Sequence, residues 1–274
     1  MRPAMHEWPL ALFTALAIAG GGTLAAQPLL MTLGAATGAG ARAQAAWATA
    51  LVAVGLGLSL NHLGTSRRFL LAGRRVGASA LSTEAALAGG TVVAGAALAW
   101  APDAGAATNL LVWSSGLLAT SFLASVGLVY RLRGQATWPA VAVAGPVLTG
   151  LAFGLIAHAA TSPASLPRTL PVTLAFLAAD ALVFSGRWLA VSGLEPWMSP
   201  SHPAMFGIRR LLLGGRLFLV TLAPAGLLAI GATTLADLSF GLGVLVDRAA
   251  FYGLAVQHTT EAEIERVERF IEAG

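Results

Sequence analysis

No cysteine occurs in the chain. That absence excludes disulfides, thiolate metal sites and iron–sulfur ligation by this polypeptide. Lysine is missing too, so all 16 basic residues are arginine. Charge is scarce: it makes up 10% of 274 residues, against roughly 25% in a soluble domain. What is there is apolar. Hydrophobic residues reach 57% and the mean hydropathy is +0.77. Such a composition reads as an all-α integral membrane protein. The pI near 10.9 comes from arginines in loops, and nucleic acid is a poor explanation for them. HEWP precedes the first apolar run with no basic region before it, so the N-terminus does not read as a cleavable signal.

About 20 apolar residues cross a bilayer core. Eight such runs are read at 9–33, 44–63, 77–101, 108–131, 139–160, 169–190, 210–233 and 236–257. Residues 1–257 then form one transmembrane anchor domain, with the candidate site in the half 1–131. Residues 258–274 form a short amphipathic tail, on which Ile264, Val267, Phe270 and Ile271 share a stripe. That tail either lies on the membrane or bundle surface or docks a partner. Gly and Ala within spans (AGGGT at 19–23) let helices approach closely. Pro146, Pro171 and Pro224 are read as kinks, and Trp8, Trp113, Trp138 and Trp197 as an interfacial belt.

An even number of spans puts both termini on one side, called face A here. Face A collects 13 arginines; the opposite face B has Arg42 and Arg168, and Arg248 lies within a span. The positive-inside rule makes face A cytoplasmic.

The stretch from His62 to Glu84 concentrates ionisable groups in a chain otherwise poor in them: His62, Arg67, Arg68, Arg74, Arg75 and Glu84. Glu84 falls roughly 10 Å below face A by helical rise. His6, Glu7, His62, Tyr130 and Tyr252 crowd the same end. A quinol needs hydrogen-bond acceptors at interface depth, an acid/base group and an apolar gap for its tail. Glu84 and His62 are the catalytic candidates for proton exchange, and Arg68 can hold an oxygen or tune the carboxylate. The bland alternatives are a Glu84 pair with a loop arginine and a His62 helix cap. Arg67, Arg74, Arg75 and Arg131 read as docking and topology charges. Deeper in the membrane, Asp180 and Arg248 stand at similar depth and are expected to pair structurally, with Asp247 pairing Arg187. No two histidines sit mid-span across helices, so the bundle is expected to be haem-free. No metal site is expected.

MHEWPL at 5–10, HLG at 62–64 with Arg68 beyond it, RVGASALS-x-E at 75–84, VYRL at 129–132 and RAAFYGL at 248–254 resemble the membrane-anchor subunit of dimethyl sulfoxide reductase. The resemblance implies an eight-span, haem-free anchor exchanging electrons with menaquinol, or ubiquinol, in a bacterial inner membrane. It implies a four-cluster iron–sulfur subunit on the arginine-rich face and a molybdopterin catalytic subunit beyond it. His62, Gly64, Arg68 and Glu84 match the family's quinol-site residues, and Tyr130 joins them from the reading above. The family's pattern places the motif face in the periplasm, whereas the arginine count places it in the cytoplasm. The rival function is a polytopic small-solute transporter, which would show inverted repeats and a midplane site; Asp180 and Asp247 are the features that favour it.

Overall fold

A computed structural model describes residues 8–36, 38–62, 77, 80–102, 105–131, 139–192, 211 and 213–249. The helices are α1 (Trp8–Thr32), α2 (Gly38–His62), α3 (Ala80–Ala99), α4 (Ala106–Arg131), α5 (Pro139–Thr161) and α6 (Leu166–Ser192). They are followed by α7 (Leu213–Ala229) and α8 (residues 233–249). Among the described residues there is no strand. A bilayer offers no water to backbone groups, so a spanning segment must satisfy them internally, and the helix does this within one segment. Six helices, α1 to α6, are long and apolar enough to cross a membrane. Outward-facing Val93, Leu110, Leu117 and Leu182 give the bundle an apolar exterior.

α1 is the hub. It packs against α2, α4 and α5, while α3 closes the far side against α2 and α4. Three consecutive glycines show why. Successive helical residues point about 100° apart, so Gly20, Gly21 and Gly22 face three different neighbours. A Cβ on Gly20 would meet the Ala48 carbonyl and Val52 of α2; on Gly21, Leu123 and Phe122 of α4; on Gly22, the backbone of Gly150 in α5. Gly154 meets Gly22 from the other side, so α1 and α5 touch backbone to backbone. Small residues at the crossing permit this close approach.

Helix bounds depart from the sequence reading where polar residues find partners inside the bundle. α2 begins at Gly38 rather than 44, because Arg42 and Gln44 are bonded to neighbouring helices and do not belong to a loop. α6 runs from Leu166 to Ser192, longer than 169–190. α8 begins at residue 233, and its end lies outside the described residues. Within α7, Phe218–Leu222 form a π-helical turn in which the Ala223 N–H donates to the Phe218 carbonyl. Pro224 follows and has no N–H. The Leu219 carbonyl would await that missing donor; instead it accepts from the Ser239 hydroxyl of α8 at 3.1 Å. The wide turn thus accommodates the proline, and a side chain from the next helix satisfies the carbonyl it leaves behind.

Candidate functional site

α3 carries a buried stripe at helical spacing: Glu84, Ala88, Thr91, Gly95 and Leu98. Its middle is apolar. Ala88 packs with Phe13 and Ala17 of α1, Val52 of α2, and Phe122 and Val126 of α4. Glu84 stands one turn beyond Ala88 toward face A, so it heads the seam where α1, α2 and α4 meet α3. The residue is only 4% exposed. Just before α3, Gly77 (φ +84°) donates its N–H to the Thr83 hydroxyl at 3.0 Å, which ties the incoming chain to the first turn. The carboxylate is therefore inside the bundle and does not face lipid.

α2 ends at His62 and α4 ends at Tyr130–Arg131, both at the end of the bundle where α3 begins. The side chains of His62, Tyr130 and Arg131 lie outside the described residues, as do Gly64, Arg67, Arg68, Arg74 and Arg75. The tail 258–274 is outside them as well. Of the expected quinol-site set, then, the structure places Glu84 and the helix ends that carry His62 and Tyr130.

The deep charges correct the sequence reading. Asp180 of α6 pairs with Arg216 of α7 (Nη2 to Oδ2 2.9 Å), and Arg248 pairs with Asp247 of α8 (2.7 Å). Arg216 Nε also lies 3.4 Å from Asp247 Oδ1, which joins the two pairs. Thr149 of α5 donates its hydroxyl to Asp180 Oδ1. Phe184, one turn along α6, presents its ring to the Arg216 guanidinium at 3.8 Å, a cation–π contact. Among the described side chains, two carboxylates and two guanidiniums balance, the condition under which such groups tolerate burial in hydrocarbon. The expected Asp180–Arg248 pair failed because depth fixes height, not direction: Arg216 reaches Asp180 from α7, while Arg248 turns to its own neighbour. The Arg187 side chain, expected against Asp247, lies outside the described residues. Arg216, counted among the face-A charges, is instead 4% exposed inside the bundle.

At face B sits a network that sequence reasoning missed. Gln27 of α1 donates to Gln44 Oε1 of α2 at 2.6 Å. Gln44 Nε2 lies 2.9 Å from His158 Nδ1 and 2.8 Å from the Thr161 hydroxyl, both on α5. His158 Nε2 lies 3.3 Å from the Ala35 carbonyl. The two face-B arginines are helix caps: Arg42 donates to the Ala101 carbonyl after α3 (2.6 Å) and Arg168 to the Gly34 carbonyl after α1 (2.7 Å). Both complement the negative end of a helix. The available signal was a pair of amides, Gln27 and Gln44, inside otherwise apolar runs.

No curated protein and no solved structure matches the chain. Residues 1–254 match the family described as DMSO reductase anchor subunit (DmsC), and the chain belongs to that family.

Proposed function

We propose that this chain is the quinol-reactive membrane anchor of a molybdopterin oxidoreductase complex in a bacterial inner membrane, with eight spans α1 to α8. The observation that carries the reading is Glu84: an acid buried at the head of the α1–α4 seam, at the depth a quinol headgroup occupies. Register supports company for it. His62 falls seven residues after Gly55, on the register of the buried Ala41 and Ala48, and Tyr130 falls four after the buried Val126. Both residues end helices, α2 and α4, that pack against α3.

Oxidising a quinol removes two protons and two electrons. Glu84 is the base that takes a hydroxyl proton, and His62 is its partner in proton exchange. Arg68 and Tyr130 hold the oxygens, and Gly64 leaves room for the ring. The electrons leave for an iron–sulfur partner subunit, since a chain without cysteine offers no thiolate for a cluster. Arg67, Arg74, Arg75 and Arg131 belong to the docking face of that subunit, which keeps the donor close to the acceptor. The molybdopterin subunit lies beyond it. Running the same steps backwards reduces quinone, so one site serves either direction. With Arg216 inside the bundle, the remaining arginine bias still favours a cytoplasmic placement of this face. The transporter reading loses its main support, because the midplane charges neutralise one another.

The test is Glu84→Gln in the assembled complex. Quinol turnover should fall by two orders of magnitude or more, the scale of a lost general base, while the partner subunits remain membrane-bound. Turnover at the parent rate removes Glu84 from the reaction.

A further inference from the structure

The face-B network holds a donor–acceptor logic that the quinol reading does not use. Gln44 Nε2 is bonded to both His158 Nδ1 and the Thr161 hydroxyl. An amide nitrogen only donates, so Nδ1 accepts. Nε2 therefore carries the ring proton and donates to the Ala35 carbonyl. Upstream, Gln44 Oε1 accepts from Gln27 Nε2. That leaves Gln27 Oε1 buried with no hydrogen-bond partner in a residue with no exposed surface. A buried acceptor left open is costly and calls for an explanation.

The same atoms admit a second arrangement, in which the unpartnered group of Gln27 becomes its amine. A proton on His158 Nδ1 would face the Gln44 amine, donor against donor. Reversing the Gln44 amide turns its oxygen toward the imidazolium and the Thr161 hydroxyl. Its nitrogen then faces Gln27, and reversing that amide presents Oε1 as the acceptor. The Nε2–H bond to Ala35 persists and becomes charge-assisted. Thr161 is exposed at face B while His158 is 2% exposed, so the hydroxyl bonded to Gln44 brings the network to the surface.

We propose that His158 is a proton-binding site served from face B, and that proton uptake reverses the Gln44 and Gln27 amides together. The ligand is the proton itself; no bond other than N–H forms. Among the described residues, the ring nitrogens are bonded to Gln44 and Ala35 alone. The charged groups at this end, among the described residues, are Arg42 of α2, Arg168 of α6 and Asp237 of α8; both arginines are bonded to helix-end carbonyls. Because Gln27 lies on the hub helix, occupancy of the site is read out where α1, α2 and α5 meet. The inference is independent of Glu84, which lies at the other face.

The test is solid-state NMR of the full chain in lipid bilayers, labelled with 15N at histidine and glutamine and titrated with acid. His158→Gln identifies the ring signals. The expected result is a neutral ring with bare Nδ1 that gains a proton on acidification, with the Gln27 and Gln44 amide signals moving at the same midpoint. Gln27→Leu removes the partner of the Gln44 amide in both orientations, so its midpoint should shift less than that of Gln27→Glu. Gln27→Glu, which can only accept, should raise the midpoint, and decides the matter if the leucine variant does not fold. A ring that stays unprotonated wherever the chain remains folded overturns the proposal. So does protonation without movement of the amide signals, or a midpoint indifferent to both variants.

Discussion

Replacing Arg216 with Met is the most direct challenge to the charge cluster. Asp180 has no exposed surface, and Arg216 is its ion-pair partner at 2.9 Å. Charges about 4 Å apart attract by roughly 4 kcal/mol at an effective dielectric constant near 20. Removing one partner of a buried pair typically costs about 3–5 kcal/mol, since the other charge stays buried. Asp247 retains Arg248 at 2.7 Å, so the loss falls on Asp180. The unfolded chain in a membrane also finds polar partners, which moves the expectation to the low end, about 3 kcal/mol. Asp180→Leu combined with Arg216→Met removes both charges, and such replacements are often neutral or better. The double variant should therefore recover most of the loss, with a coupling of about 1–3 kcal/mol. The matching cycle between Asp180 and Arg248 should couple more weakly by about 1 kcal/mol or more, because Asp247 and Arg216 stand between them. Reversible unfolding of the full chain in mixed detergent–lipid micelles measures both cycles. Equal coupling, or stronger coupling to Arg248, refutes the arrangement.

Gly22→Ala should weaken the α1–α5 contact by about 1–3 kcal/mol, as overpacking does, because its Cβ meets the Gly150 backbone. Gly89→Ala, with open space at that point, should be neutral or slightly stabilising in the same unfolding assay. Ser239→Ala should cost about 1 kcal/mol by stranding the Leu219 carbonyl. The same change should be nearly silent on a Pro224→Ala background, where a backbone N–H returns; equal costs on both backgrounds contradict the account of the π turn. A reporter fused after Gly274 should be active on the cytoplasmic side, and periplasmic activity reverses the assignment of face A.

How much of this was legible in the sequence depended on the kind of signal. Glu84 stood out because a carboxylate inside an apolar run is conspicuous, and its burial follows from the Ala88 and Thr91 register below it. The tight packing around AGGGT was legible from residue size, but not that each glycine serves a different neighbour. That depends on which helices surround α1, which no local pattern records. Asp180 shows the same boundary. Helical rise places Arg216, Asp247 and Arg248 at comparable heights, and only the direction of each side chain selects the partner. Gln27, Gln44 and His158 escaped because hydropathy weighs an uncharged amide as a small blemish in a span, although together they form a connected buried network. Arg42 and Arg168 were counted as surface charge, whereas each closes a helix end.

The three-way glycine hub bears on how the chain is made. Synthesis runs from the N-terminus, so α1 enters the bilayer before the helices that will enclose it. Gly21 waits for α4 and Gly22 for α5, each emerging long after α1. Until then both bare surfaces rest against acyl chains, and lipid must be expelled when α5 arrives. A nascent chain stalled before residue 139 therefore holds its central helix unclad, and folding of the anchor closes from the inside only when its fifth helix is delivered.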